Sequence, residues 1–195
     1  MAALTDIGNL LIQTFFSLYI TVILLRLLLQ LARAAFYNPI SQFLVRATAP
    51  VLKPLRRVIP GFFGIDFSSI VLALVLQMLA TSLLLAIAGY GMVNPLFLLI
   101  WAVLGCIGII VNIYFVGIIV SIILSWVSPG SYNPAVILLH QLTEPVMAPF
   151  RQIIPPLGGL DLSPIFVFLV IKVVQIILSH GAAAVLLPPR FVIGI

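Results

Sequence analysis

From Pro95 to Trp126 the chain carries no charged residue, and three further apolar segments run approximately Ile7–Leu31, Ser69–Tyr90 and Pro164–Leu187. A helix rising about 1.5 Å per residue crosses about 30 Å of hydrocarbon in roughly 20 residues, so each segment is long enough to span a bilayer. Residues are 64% hydrophobic and 7% charged, against about 45–50% and about 25% in soluble domains. Four acids and nine bases cannot cover so much apolar surface in water. The expected fold class is therefore all-α, a polytopic membrane protein with four spans. The segment at 95–126 is overlong for one crossing and short for two with a turn. One tilted or extended helix beginning at the Asn94–Pro95 break is expected. A split near Gly105 and Gly108, giving five spans, is the alternative.

Between the spans one stretch is written twice. "TAPVLKPLRRVIPGFFGIDFS" (48–68) and "TEPVMAPFRQIIPPLGGLDLS" (143–163) align without gaps at an offset of 95 residues. From Tyr37–Ser68 against Tyr132–Ser163, 14 of 32 positions are identical. Prolines and polar residues keep register, which shared apolarity alone would not preserve, so the chain is an internal duplication. The two units are 1–94 and 95–195, each a span, a proline-rich connector (36–66 and 132–161) and a second span. Four spans place both connectors on one membrane face; five would place them on opposite faces. Arg33, Arg46, Lys53, Arg56, Arg57 and Arg151 lie in or beside the connectors, whereas the other side offers Arg190. The positive-inside rule then puts both connectors in the cytoplasm. The first segment lacks a basic leader, carries Asp6 and is read as a retained helix rather than a cleaved signal.

Asn38–Pro39 and Asn133–Pro134 have the form of helix starts, Asn capping and Pro in the first helical position. After Pro50, Val51, Leu52, Leu55, Val58 and Ile59 fall on one helical face, opposite Lys53, Arg56 and Arg57. Val146, Met147, Phe150, Ile153 and Ile154 repeat the pattern against Arg151 and Gln152. A short helix lying in the headgroup plane is expected, with cations toward lipid phosphates. A shallow re-entrant loop is the competing geometry. On this reading Pro54 and Pro149 occupy about the first turn, Pro60 and Pro155 stop the helix, and Gly64 or Gly159 turns the chain into the next span. Lys53, Arg56, Arg57 and Arg151 are the candidate lipid or partner contacts. Asp66 and Asp161 precede the following helices, where they cap and offset the helix dipole, or pair with Arg56 and Arg151; the two roles are compatible.

Within the spans, Arg26 and Lys172 either snorkel to the headgroups or face inward. Under the 95-residue shift Arg26 falls on Ser121 and Lys172 on Gln77, so a shared pseudo-symmetric polar pocket of Arg26, Gln77, Ser121 and Lys172 is a candidate site. Gly108, Asn112, Gly117, Ser121 and Ser125 form a small-residue strip suited to packing within the bundle or in a homo-oligomer, with a permeation path as the lesser reading. Trp101, Trp126 and Tyr132 suit interfacial anchoring.

No catalytic signature accompanies these features. The chain has no HExxH, GxSxG, P-loop or paired intramembrane aspartates. His140 and His180 fall on opposite membrane sides, which disfavours joint metal or haem ligation, and Ser121, Ser125 and His140 are a weak basis for a hydrolase. Cys106 is the single cysteine, excluding an internal disulfide. No cofactor, no metal and no enzyme activity are expected. The net charge of +5 comes without a nucleic-acid-binding motif, so the expected partners are anionic lipid headgroups and other membrane proteins.

The doubled block "YNP…TxPxxxPxRxxIP…GxDxS" resembles the YggT family over nearly the whole length, in its two-repeat bacterial form. The second copy departs in charge: Gln141, Ala148 and Gln152 replace Arg46, Lys53 and Arg57, and Glu144 appears, so it should attract phosphates less. The resemblance implies a multi-pass protein of the bacterial inner membrane, with plastid relatives. It also implies links to osmotic or potassium stress, cell division and cytochrome assembly, none of which defines a molecular activity. The expected function is a non-enzymatic scaffold or assembly factor organising lipids or partner proteins and supporting osmotic-stress tolerance. A small channel or transporter using a cationic pocket at Arg26 and Lys172 is the rival.

Overall fold

A computed structural model describes residues 2–128, 130–153 and 161–195 of the chain. Among the described residues six α-helices follow one another: α1 (Ala2–Leu31), α2 (Pro39–Val58), α3 (Phe67–Ile87), α4 (Pro95–Val127), α5 (Pro134–Ile153) and α6 (Ser163–Ala184). Four are long and apolar enough to cross a membrane, namely α1, α3, α4 and α6. Helix α4 runs unbroken through Gly105 and Gly108, so there are four spans and not five. Its 33 residues reach about 50 Å, which exceeds the hydrocarbon thickness and requires tilt or protrusion.

Three Asn–Pro pairs start helices for the same local reason. The side-chain oxygens of Asn38, Asn94 and Asn133 accept from the backbone N–H groups of Ile40, Leu96 and Ala135, each at 2.9 Å. Proline in the first helical position gives up an N–H that had no intrahelical partner.

The duplication is also a duplication of packing. In the first unit α1 meets α3, α1 meets α2 and α2 meets α3; the same three contacts recur as α4 with α6, α4 with α5 and α5 with α6. Ile23, Leu52 and Leu72 belong to one buried cluster, and Ile118, Met147 and Val167, each 95 residues later, belong to another. Contacts of α3 and α1 with α4 join the halves.

The connector helices differ from the expected short segments after Pro50 and Pro145. Each is a single helix of 20 residues beginning at Pro39 or Pro134, with both prolines inside it. Pro54 and Pro149 therefore lie near the end of the helix, not in its first turn. Helix interiors normally reject proline because the carbonyl four residues earlier loses its donor. Here Pro50, Pro54, Pro145 and Pro149 are all exposed, on the side away from buried Ser41, Leu44, Thr48 and Leu52 in α2. The carbonyls they leave free are thus not sealed in a core. Ile154, Pro155 and Gly159, assigned above to the end of the second connector and its turn, lie outside the described residues. In the first copy Gly64 does turn the chain at φ 79°.

After α6 the chain turns back into the bundle, ending the last span at Ala184 rather than Leu187. Val192 is buried, and the side-chain amide of Gln77 donates to the carbonyl of Ile193 at 3.0 Å. A Cβ on Gly105 would lie 2.7 Å from that carbonyl oxygen. One on Gly108 would overlap the carbonyl of Gly194. Part of the small-residue strip on α4 is therefore the seat of the C-terminal segment. Gly117 serves α5 instead, facing Thr143 and Leu139.

Candidate functional site

Both connector helices lie at one end of the bundle and touch each other. The side-chain amide of Asn38 donates to the carbonyl of Pro134 at 2.7 Å, and the Ala35 N–H donates to Gln141 at 2.9 Å. The capped start of α2 is thus tied to α5.

Helix α2 has three faces. Ser41, Leu44, Thr48 and Leu52 are buried, at a spacing that keeps them on one side. Exposed Arg46, Lys53 and Arg57 fall on a second face. Exposed Ile40, Ala47, Val51 and Val58 make a third, apolar stripe at spacings of seven and four. At the tip of the turn that follows, Phe62 and Ile65 exchange backbone hydrogen bonds and Phe63 stands fully exposed.

Each connector closes on its following helix through an arginine and an aspartate, but the two copies are wired differently. In the first, Arg56 pairs with Asp66, which also accepts from the Ser69 hydroxyl at 2.7 Å. Asp66 is 4% exposed and Arg56 39%. Asp66 stands at the N-cap position of α3 yet makes no side-chain bond to its backbone, so pairing takes the place of capping. Burial pushes the Asp66 carboxyl up, but hydrogen bonds from Arg56 and Ser69 and the charges of Arg56 and Arg26 outweigh it, leaving it below the usual carboxylate range. In the second copy Asp161 does both jobs, accepting from the Ser163 N–H and from Arg151 Nε, each at 2.9 Å. Burial again raises its pKa, and hydrogen bonding from Ser163 and Arg151 brings it below normal. Arg151 also donates to Glu144 at 2.6 Å. Burial lowers the Arg151 pKa, and the two carboxylates more than reverse that.

Arg26, Gln77, Ser121 and Lys172 are not brought into one pocket. Arg26 donates to the Thr48 hydroxyl at 2.6 Å, and Gln77 holds the C-terminal segment. Ser121 meets His140 Nδ1 at 3.2 Å. Lys172 donates to Gln175 at 3.0 Å and lies 5.2 Å from the centre of the Phe115 ring. The repeat relation carries each residue to the equivalent place in the other half, toward its own connector or neighbour, instead of to a common centre. Arg26 instead shares a cavity of about 710 Å³ with Arg56 and Asp66, between α1, α2 and the turn at 60–66. Sequence reasoning missed this cavity and the inserted C-terminal segment. An apolar "FVIGI" after the Pro188–Pro189 break was the available signal for the latter. Among the described residues no three His, Cys, Asp or Glu side chains gather as metal ligands would.

The sequence model of the CCB3/YggT family matches twice, over residues 5–87 and 100–182. An uncharacterised protein of Pseudomonas aeruginosa is 48% identical over 185 residues, 94% of each chain. An uncharacterised protein of Vibrio alginolyticus is 47% identical over 163 residues, 82% of this chain and 86% of its own. The uncharacterised protein YggT of Escherichia coli is 36% identical over 181 residues, 90% of this chain and 89% of its own. No solved structure matches the chain.

Proposed function

Since the chain belongs to the CCB3/YggT family, we propose that it is a non-enzymatic scaffold of the bacterial inner membrane whose connector face organises lipids or partner proteins. One observation carries the reading: two amphipathic helices lie side by side at one end of a four-span bundle, and α2 divides its exposed surface between a cationic face and an apolar stripe. A helix so divided rests in the interfacial plane, its stripe toward acyl chains and its cations toward phosphates. Lys53 and Arg57 are the contacts, since Arg151 is held by two carboxylates and Arg56 by one. The excess of cations at this end favours the cytoplasmic side. Support of osmotic-stress tolerance, which the family resemblance implies, is the physiological setting of this scaffold.

The channel reading required Arg26 and Lys172 to line one path, and their separate partners argue against it. Pull-down from native membranes, with lipid analysis, tests the scaffold: changing Lys53 and Arg57 to Glu should reduce anionic lipid and protein partners recovered with the chain. Unchanged recovery together with ion flux in proteoliposomes that is lost in Lys172→Ala would refute it.

A further inference from the structure

The cavity beside Arg26 carries a surplus of positive charge and of donors. Its charged lining residues are Arg26, Arg56 and Asp66, two guanidinium groups against one carboxylate. Arg56 is occupied by Asp66. Arg26 has only the neutral Thr48 hydroxyl as acceptor among the described residues, although a guanidinium offers five N–H donors. Ser41 lines the same cavity, is 8% exposed, and its buried hydroxyl has no hydrogen-bond partner among the described residues. Buried polar groups are ordinarily satisfied, so an unpartnered hydroxyl beside an under-used guanidinium points to a missing acceptor. Phe36, Leu29 and Leu44 supply an apolar wall.

The second copy is the internal comparison. Ser121 stands in place of Arg26 and Val136 in place of Ser41. Arg151 there faces both Glu144 and Asp161, so one cation meets two acids. At this place the first copy therefore sets two guanidinium groups against one carboxylate, whereas the Arg151 cluster of the second sets one against two.

We infer that the first-copy cavity binds one phosphate group, with Arg26 and the Ser41 hydroxyl donating to its oxygens and Asp66 keeping Arg56 in position. Phosphate suits the site because it is anionic and presents several acceptor oxygens to a forked donor. The group belongs either to a phospholipid headgroup or to free inorganic phosphate. The inference deepens the scaffold reading, on which it rests for the placement of the connector face against lipid.

The test uses the full chain, purified in mild detergent and delipidated. Bound phospholipid per chain is counted by mass spectrometry after reconstitution with phosphatidylglycerol. The unfolding midpoint is measured with inorganic phosphate against chloride at equal ionic strength. Wild type and Arg151→Gln should retain lipid alike or be stabilised alike by phosphate. Arg26→Gln should lose about tenfold or more in affinity, as removal of a charge-assisted hydrogen bond implies. Ser41→Val, which copies the second unit, removes no charge and serves if Arg26→Gln fails to fold; it too should weaken binding, while Arg26→Lys should restore part of it. Lipid retention without a phosphate response assigns the headgroup, and a response to phosphate alone assigns the free anion. Equal behaviour of wild type, Arg26→Gln and Ser41→Val overturns the inference. Loss of all retention in a Lys53/Arg57 charge reversal, with Arg26→Gln unaffected, would also overturn it, by placing the lipid on the exposed face and leaving the scaffold reading intact.

Discussion

Neutralising each connector aspartate should have unequal consequences. Asp66→Asn removes the acid paired with Arg56 from a site where the carboxylate is 4% exposed. Breaking a fully buried ion pair costs about 3–5 kcal/mol because the remaining charge is stranded. Arg56, at 39% exposure, can recover water, which reduces the cost to about 2 kcal/mol. Asp161→Asn acts where Asp161 is 41% and Arg151 42% exposed, and Arg151 keeps Glu144. Asparagine can still accept from the Ser163 N–H. That substitution should cost about 0.5 kcal/mol, the ordinary scale of an exposed pair. For a chain of this size these figures become about 4–8 °C and about 1–2 °C in unfolding midpoint. Cys106, the single thiol, lies buried in α4, so a fluorogenic maleimide reports opening of the bundle without any added label. Equal shifts for the two variants, or a larger one for Asp161→Asn, would refute the argument that burial, not the pairing itself, sets the cost.

Acid should expose the same bonds. Both aspartates titrate below their ordinary range when folded. Their stabilisation is therefore complete above the unfolded carboxylate pKa of about 4 and is lost as pH falls through the folded values. The unfolding midpoint should be flat from neutral pH down to about 5 and then drop, and Asp66→Asn should remove the larger part of that drop. Gly108→Ala should cost about 1–3 kcal/mol through overpacking, because its methyl would overlap the Gly194 carbonyl. The same substitution should be nearly neutral in a chain lacking Gly194 and Ile195, as thermal unfolding of the four combinations would reveal. Asn38→Ala and Asn94→Ala each delete a cap worth about 1 kcal/mol. The first should cost measurably more, since Asn38 alone of the two also holds the carbonyl of Pro134.

Gly105 and Gly108 illustrate how far a linear reading reaches. Small residues at these places suggested either a break in the helix or close packing, and the choice depended on a segment almost ninety residues away. The connector prolines are similar: an isolated helix would end at them, and only their position on the exposed side of α2 and α5 permits them to stay inside. Arg26, too, was visible as an intramembrane cation, but its neighbours Ser41, Arg56 and Asp66 come from α2 and the turn behind it.

What the sequence alone determined was the solvent, the four apolar segments, the Asn–Pro helix starts and the 95-residue register that later paired Ile23, Leu52 and Leu72 with Ile118, Met147 and Val167. Each depends on apolar length, local capping or repetition, which neighbouring residues express without help from the rest of the chain. Only the tertiary structure decided that Arg151 has two acids while Arg26 has none of its own among the described residues, that the C-terminal segment fills the α4 glycine seat, and that Arg26, Ser41 and Arg56 line one donor-rich cavity in the first copy. Charge partnership and cavity shape follow from how distant helices dock, and equivalent positions in a duplicated chain dock against different neighbours.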